Sequence, residues 1–186
     1  MEIDAHALQR LLDKDQIYEA ICRYARGVDR GDEALIRSAY HTDAFDDHVG
    51  YRGDIDGFIL WLRERFKGYK NSMHFLGNCF IEFAGPDVAM AETSYASRRL
   101  REPEGAEKDG LGPNDMICRQ AWGRYLDRME RRDGAWRIAK RITVTDDRFV
   151  TVARDGARNV DIIWGTRSPS DPVFAFRKEV LGDRVT

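Results

Sequence analysis

Ser72-Met73-His74-Phe75-Leu76-Gly77-Asn78-Cys79-Phe80-Ile81-Glu82-Phe83, followed by Ala84-Gly85-Pro86-Asp87, marks the point at which the pattern of the chain changes. From residue 72 the signal has a period of two, so Met73 to Phe83 reads as a β-strand, Gly85-Pro86-Asp87 as a turn and Val88 to Leu100 as the partner strand. A second long hairpin follows, Met116 to Met129 and Trp136 to Thr145, about an Arg132-Asp133-Gly134 turn. Between the hairpins, Arg101 to Asp115 holds three Gly, two Pro and five acidic residues. That composition predicts a loop and a candidate mobile lid.

Upstream of this stretch the period is helical. After Asp13, read as an N-cap, apolar residues recur at Ile17, Ala20, Ile21, Tyr24, Ala25 and Val28, the spacing of one buried helix face. Gly31 is placed to end that helix. Asp32 is expected to cap a short second helix through Leu35 and Ala39, and Asp54 a third through Ile55, Phe58, Ile59, Leu62 and Phe66. Ala44 to Gly53 reads as a strand and turn. Helices first and antiparallel strands afterwards predict an α+β fold with the helices packed on one face of a sheet.

The composition is that of an ordinary globular protein. At 186 residues and 21.4 kDa the chain suits one domain, residues 1–186. Folding at this size buries roughly 70% of the extended chain's surface, enough for a core without staples. Thirty basic against 32 acidic residues leave a net charge of −2, which provides no field for holding nucleic acid. Residues 1–50 hold 6 basic and 11 acidic residues and 119–158 hold 11 and 6, a reversal that reads as a charged sheet face. The longest apolar run, Phe58 to Leu62, is far short of the roughly 18 residues that span a bilayer. Met1 to His6 lacks the features of a secretory signal, so a cytoplasmic location is expected. Cys22, Cys79 and Cys118 are too widely spaced for a zinc site and read as reduced thiols.

The chain has no phosphate loop, nucleophile elbow, H-E-x-x-H or dinucleotide fingerprint. Its histidines are His6, His41, His48 and His74. Strand alternation puts His74, Leu76, Asn78 and Phe80 on one face. Asp29 ends the first helix at the edge of its buried arc, facing the negative end of the helix dipole. That placement is unfavourable by about 0.3–1 kcal/mol unless a cation or hydrogen-bond donor compensates, and an imidazole would do so. A carboxylate that fixes a histidine's tautomer is the ordinary way to make a general base. The structural alternatives are a satisfied strand histidine and a solvated aspartate in the Val28-Asp29-Arg30-Gly31-Asp32 turn. His41-Thr42-Asp43-Ala44-Phe45-Asp46-Asp47-His48 holds five potential metal ligands, but at no zinc-site spacing. It reads as a polar turn and strand start, with His48 near a pocket mouth and no metal. Arg141 reads as a charged strand residue or as an anion clamp.

The order of these features resembles a known family. Tyr24-x4-Asp29, a capped helix, Tyr51-Arg52-Gly53, Ser72 to Asn78, Tyr125-Leu126-Asp127-Arg128 and Arg132 to Ile138 together resemble the SnoaL-like branch of the nuclear-transport-factor-like cone fold, over about residues 8–148. The resemblance implies a curved, mixed, mostly antiparallel sheet with the N-terminal helices on its concave face, a cone-shaped α+β barrel. Residues 149–186 would then be an extension that contacts an oligomer partner or closes the pocket. Members include scytalone dehydratase, bile-acid 7α-dehydratase and hexachlorocyclohexane dehydrochlorinase. In that branch a helix-end Asp orients a strand His acting as base, roles that fall on Asp29 and His74. Tyr24, where the dehydrochlorinase has Lys, favours an oxygenated substrate. No histidine follows His74, so the later-strand pocket histidine of the fungal dehydratase has no expected counterpart. Tyr24, Tyr51, Arg141, Trp61 and Asn78 are the expected substrate contacts. The implied function is a cofactor-independent hydro-lyase acting on a hydrophobic carbonyl-containing ring, polyketide-like or steroid-like, in a homotrimer or homodimer. An isomerase or cyclase with the same dyad, or a non-catalytic module like a dioxygenase small subunit, is the alternative.

Overall fold

The computed structural model describes residues 4–154 and 162–182. Helix α1 runs Ala5–Arg30, α2 Glu33–Ala39 and α3 Ile55–Arg65; strands are β1 Tyr40–His48, β2 Tyr51–Asp54, β3 Tyr69–Phe83, β4 Val88–Arg101, β5 Met116–Arg132 and β6 Ala135–Ala153. Helix α4, Pro172–Leu181, follows the sheet. The strand order is β2-β1-β6-β5-β4-β3. Of these pairings only β1 with β6 is parallel. The sheet is therefore mixed and mostly antiparallel, as expected, and it stays open between edge strands β2 and β3 where a barrel would close.

Local chemistry sets most element ends. Asp32 accepts from the Leu35 N–H (2.9 Å) and Asp54 from the Gly57 N–H (2.8 Å), the two expected caps. Gly31 ends α1 at φ +69°, a conformation that favours glycine, and its N–H returns to the Gly27 and Val28 carbonyls. The start of α1 corrects the sequence reading. Asp4 is the N-cap, and Asp13 lies inside the helix, almost fully buried, accepting from Trp136 Nε1 (2.9 Å), Arg131 Nη1 (2.9 Å) and Gln9 Nε2 (3.0 Å).

The helices lie on one face of the sheet, α1 against β3 and β6, and α3 against β1 and β2. The core lies between them, with Ile17, Ile21, Tyr24, Phe58, Tyr125, Met129, Trp136 and Ile138 at 0–2% exposure. Each such aliphatic or Phe side chain stabilises the fold by about 1.5–3 kcal/mol. Gly123 sits where the β5–β6 register shifts, and a Cβ there would run into the Val144 carbonyl.

The alternation of β3 is interrupted. A register shift between Leu76 and Cys79 lets Ser72, His74 and Leu76 face inward and then Cys79, Ile81 and Phe83. Phe80 is consequently 65% exposed, and Asn78 is exposed as well. Beyond the sheet the chain returns to the end of α1. Arg167 donates from its backbone N–H to the Lys70 carbonyl (3.0 Å) and from Nε to the Val28 carbonyl (3.0 Å), while its guanidinium lies 4.2 Å over the Phe66 ring. No described helix is long and apolar enough to cross a membrane.

Candidate active site

The last turn of α1 presents Asp29 to β3. It is 6% exposed and accepts from Ser72 Oγ (2.7 Å), the His74 backbone N–H (2.6 Å) and His74 Nδ1 (2.7 Å). Burial alone would raise the Asp29 carboxyl, but the hydrogen bonds and charge of His74, with the Ser72 hydroxyl, hold it below its ordinary value. An ionised carboxylate only accepts, so Nδ1 of His74 carries the proton. Nε2 is the basic atom, on a ring that lines a cavity. The helix-end aspartate and the strand histidine thus meet as the sequence suggested.

A second carboxylate–imidazole pair faces the same cavity. Asp46, fully buried on β1, accepts from Tyr40 OH (2.7 Å) and from Nδ1 of His48. Nε2 of His48 lies 3.0 Å from Tyr24 OH and 3.1 Å from Thr143 Oγ1. Burial pushes the Tyr24 phenol well above its ordinary value despite the neighbouring Arg141, so it stays protonated and able to donate. A second pocket histidine therefore comes from β1, where the sequence placed His48 near a pocket mouth, and not from a strand after His74. The rest of the His41 to His48 stretch is structural. His41 Nε2 bonds the Glu130 carbonyl (2.9 Å), Asp43 pairs with Arg132 (2.7 Å) and Asp47 with Arg52 (2.6 Å). Among the described residues no group of three or more His, Cys, Asp or Glu is arranged to hold a metal ion.

The cavity and the open solvent at its mouth together hold about 570 Å³ of space free of protein atoms. Trp61, Leu62, Phe66, Tyr95 and Tyr125 form much of its apolar wall, with His48, His74 and Tyr24 among its polar groups. Tyr24 is set in an aromatic nest, its ring 5.5 Å from Tyr125, 5.8 Å from Tyr40 and 6.4 Å from Phe58.

Three expected substrate contacts lie elsewhere. Arg141 is completely buried, both Nε and Nη2 donating to Asp127 (2.7 and 2.6 Å), and its guanidinium lies 4.1 Å from the ring centres of Tyr24 and Tyr125. It supports those rings from below and cannot clamp an anion in the cavity. Tyr51 packs behind the wall, 5.7 Å from Phe58 and 5.9 Å from Trp61, and donates its hydroxyl to the Asp54 carbonyl (2.7 Å). Asn78 points outward because of the bulge in β3. No residue of the 101–115 loop lines the cavity; the loop borders a separate hollow with Lys70.

A family model described as a SnoaL-like domain matches residues 9–142. No curated protein matches the chain. Among solved structures, a type 2 hexachlorocyclohexane dehydrochlorinase is 19% identical with a TM-score of 0.67, over 84% of this chain and 99% of its own. A Novosphingobium aromaticivorans protein named for scytalone dehydratase is 15% identical with a TM-score of 0.64, over 82% and 95%. A Kribbella flavida protein is 18% identical with a TM-score of 0.63, over 75% and 95%. At these identities the likeness is one of fold.

Proposed function

The chain belongs to the SnoaL-like domain family, and from that premise we propose that it is a cofactor-independent lyase of the dehydratase type acting on a hydrophobic ring that carries a carbonyl and a β-hydroxyl. The observation that carries this reading is the pair of oriented imidazoles, His74 on Asp29 and His48 on Asp46, facing one partly apolar cavity.

His74 Nε2 takes the proton α to the carbonyl, and Asp29 stabilises the imidazolium that forms. The carbon–oxygen bond to the β-hydroxyl breaks with its electron pair on oxygen. Tyr24 protonates that oxygen and is itself reprotonated through His48, whose charge Asp46 balances. Water leaves, and exchange with solvent resets both histidines. Acid–base assistance of this kind contributes about 10²- to 10⁴-fold, so positioning against Trp61 and the tyrosine wall supplies much of the rest. The location proposed with this reading is the cytoplasm. A homo-oligomer, trimer or dimer, is proposed through the outer sheet face, where Phe75 (69%), Phe80 (65%) and Trp122 (52%) stand exposed; sedimentation of the purified chain tests it.

Cyclic β-hydroxyketones incubated in D₂O test the chemistry by mass. The wild type is expected to release one water, His74→Ala to release none while keeping its circular dichroism spectrum, and His48→Ala to be slower. Deuterium uptake without loss of water would favour an isomerase or cyclase using the same dyad. Turnover by His74→Ala at the wild-type rate would defeat the reading.

A further inference from the structure

The net charge of only −2 hides a local excess of positive charge at the cavity. Arg65 from the end of α3, Arg99 from β4 and Arg148 from β6 line the same space as the two dyads. Arg119 stands directly opposite Arg99 in the β4–β5 register. Among the described residues none of the four guanidinium groups has a carboxylate within 4 Å, whereas Arg63 and Arg101 each have one and Arg124 and Arg132 each have two. Arg99 Nε is buried with no hydrogen-bond partner.

What holds these side chains is aromatic. Arg65 lies 4.9 Å over the Trp61 ring, and Arg99 lies 5.4 Å over Phe66 and 5.6 Å over Tyr69. A ring face attracts a guanidinium but leaves its N–H edge without an acceptor. Burial, and then repulsion by Arg99, Arg148 and Arg119, lower the Arg65 pKa; Arg99 is lowered by burial and by Arg148 and Arg119, with Tyr69 and Tyr95 opposing. Like charges placed opposite one another across a sheet destabilise it, and a half-buried cation without a counter-charge does so further. The folded chain sustains both at one place, and that place opens onto the proposed catalytic groups.

We propose that the mouth of the cavity is an oxyanion-binding site, and that its ligand is a hydrophobic ring bearing a carboxylate or phosphate group, held by Arg65, Arg99 and Arg148 with the ring extended toward His74 and His48. That such an acid binds stands on the cavity by itself; that it is the substrate rests on the lyase reading above. The guanidinium fork matches either oxyanion through paired, charge-assisted hydrogen bonds.

Calorimetric titration with 2-naphthoate, 2-naphthyl phosphate and the neutral 2-naphthamide tests this without turnover. At least one of the two acids should bind about tenfold or more tightly than the amide, a preference that fades with added salt, and the stronger acid identifies the group. Arg99→Met should remove that preference, leaving the amide's affinity unchanged. Arg148→Gln, at an exposed position that burdens folding little, should weaken it in the same direction. Equal binding of acid and amide, no binding of either acid, or acid affinity unchanged in both variants would overturn the proposal. The titration reads binding of the acid and the D₂O experiment reads loss of water, so a failed lyase assay and a failed oxyanion site are separate results.

Discussion

Asp29→Asn keeps the shape of the first dyad and removes its charge. In the wild type one carboxylate oxygen accepts from Ser72 Oγ (2.7 Å) and His74 Nδ1 (2.7 Å), and the other from the His74 backbone N–H (2.6 Å). Asparagine offers one accepting oxygen. The backbone N–H can only donate, so the amide oxygen takes the place facing it and the NH₂ group faces Ser72 and His74. The Ser72 hydroxyl rotates to accept; the imidazole accepts only by moving its proton from Nδ1 to Nε2. Every group then remains hydrogen-bonded, but the basic atom in the cavity is already protonated. Hydrogen bonds to a charged group contribute about 1.5–3 kcal/mol against about 0.5–1.5 for neutral ones, and relief of a buried carboxylate offsets part of the difference. The net destabilisation should be about 1–3 kcal/mol, within the roughly 5–15 kcal/mol that holds a domain folded. Activity should fall about 10²- to 10⁴-fold, the full contribution of the base. Because the folded Asp29 titrates below its ordinary value of 3.8, its stabilisation is complete above that pH and is lost as pH falls through the folded value. The part of the stability gap that the ionised carboxylate supplies should therefore be lost in acid. Urea denaturation at several pH values measures the gap, and ¹⁵N NMR of the histidine rings reads the tautomer. A variant that keeps the proton on Nδ1 of His74, or that turns over at the wild-type rate, would refute this reasoning.

Removing Asp127 as Asp127→Ala leaves the fully buried Arg141 without its counter-ion and should destabilise by about 3–5 kcal/mol in urea denaturation; adding Arg141→Met to the same chain should recover most of that. A loss too small to resolve would mean that the pair is not closed. Asn78→Ala, on the outer face, should change stability by no more than about 0.5 kcal/mol and leave turnover unchanged. A loss of activity there would bring Asn78 back to the substrate.

Local rules carried the sequence reading as far as local forces act. The caps at Asp32 and Asp54 are decided within three residues, and both stand as read. Asp13 obeys a distant rule: its partners Arg131 and Trp136 lie more than a hundred residues away, so nothing nearby separates an interior aspartate from a cap. Asn78 was misplaced by a single-residue bulge in β3. Arg141 was expected at the substrate from the family resemblance alone: a regular hairpin from Arg132 and Ala135 would set Lys140 opposite Asp127 and turn Arg141 outward, and the shift between Arg128 and Met129 turns it inward onto Asp127 instead. The second dyad was visible as Asp46-x-His48, two residues on one strand face. Its meaning depended on the parallel pairing of β1 with β6, which brings Thr143 alongside and which no local pattern announces.

That parallel pairing also orders the assembly of the protein as it is made. Asp29, Ser72 and His74 are all present once the first 74 residues have been synthesised, so the first dyad can form early. The Tyr24–His48–Thr143 cluster waits for β6, and at about 5–20 residues per second the intervening segment takes several seconds to emerge. Through that interval β1 has only the short β2 beside it, and the apolar side of Tyr24, Tyr40 and Phe58 lacks its cover. Insertion of β6 between β1 and β5 is a non-local step of the kind that slows folding. A chain stopped short of Ala135 therefore carries both residues of the first dyad and lacks the β6 side of the second.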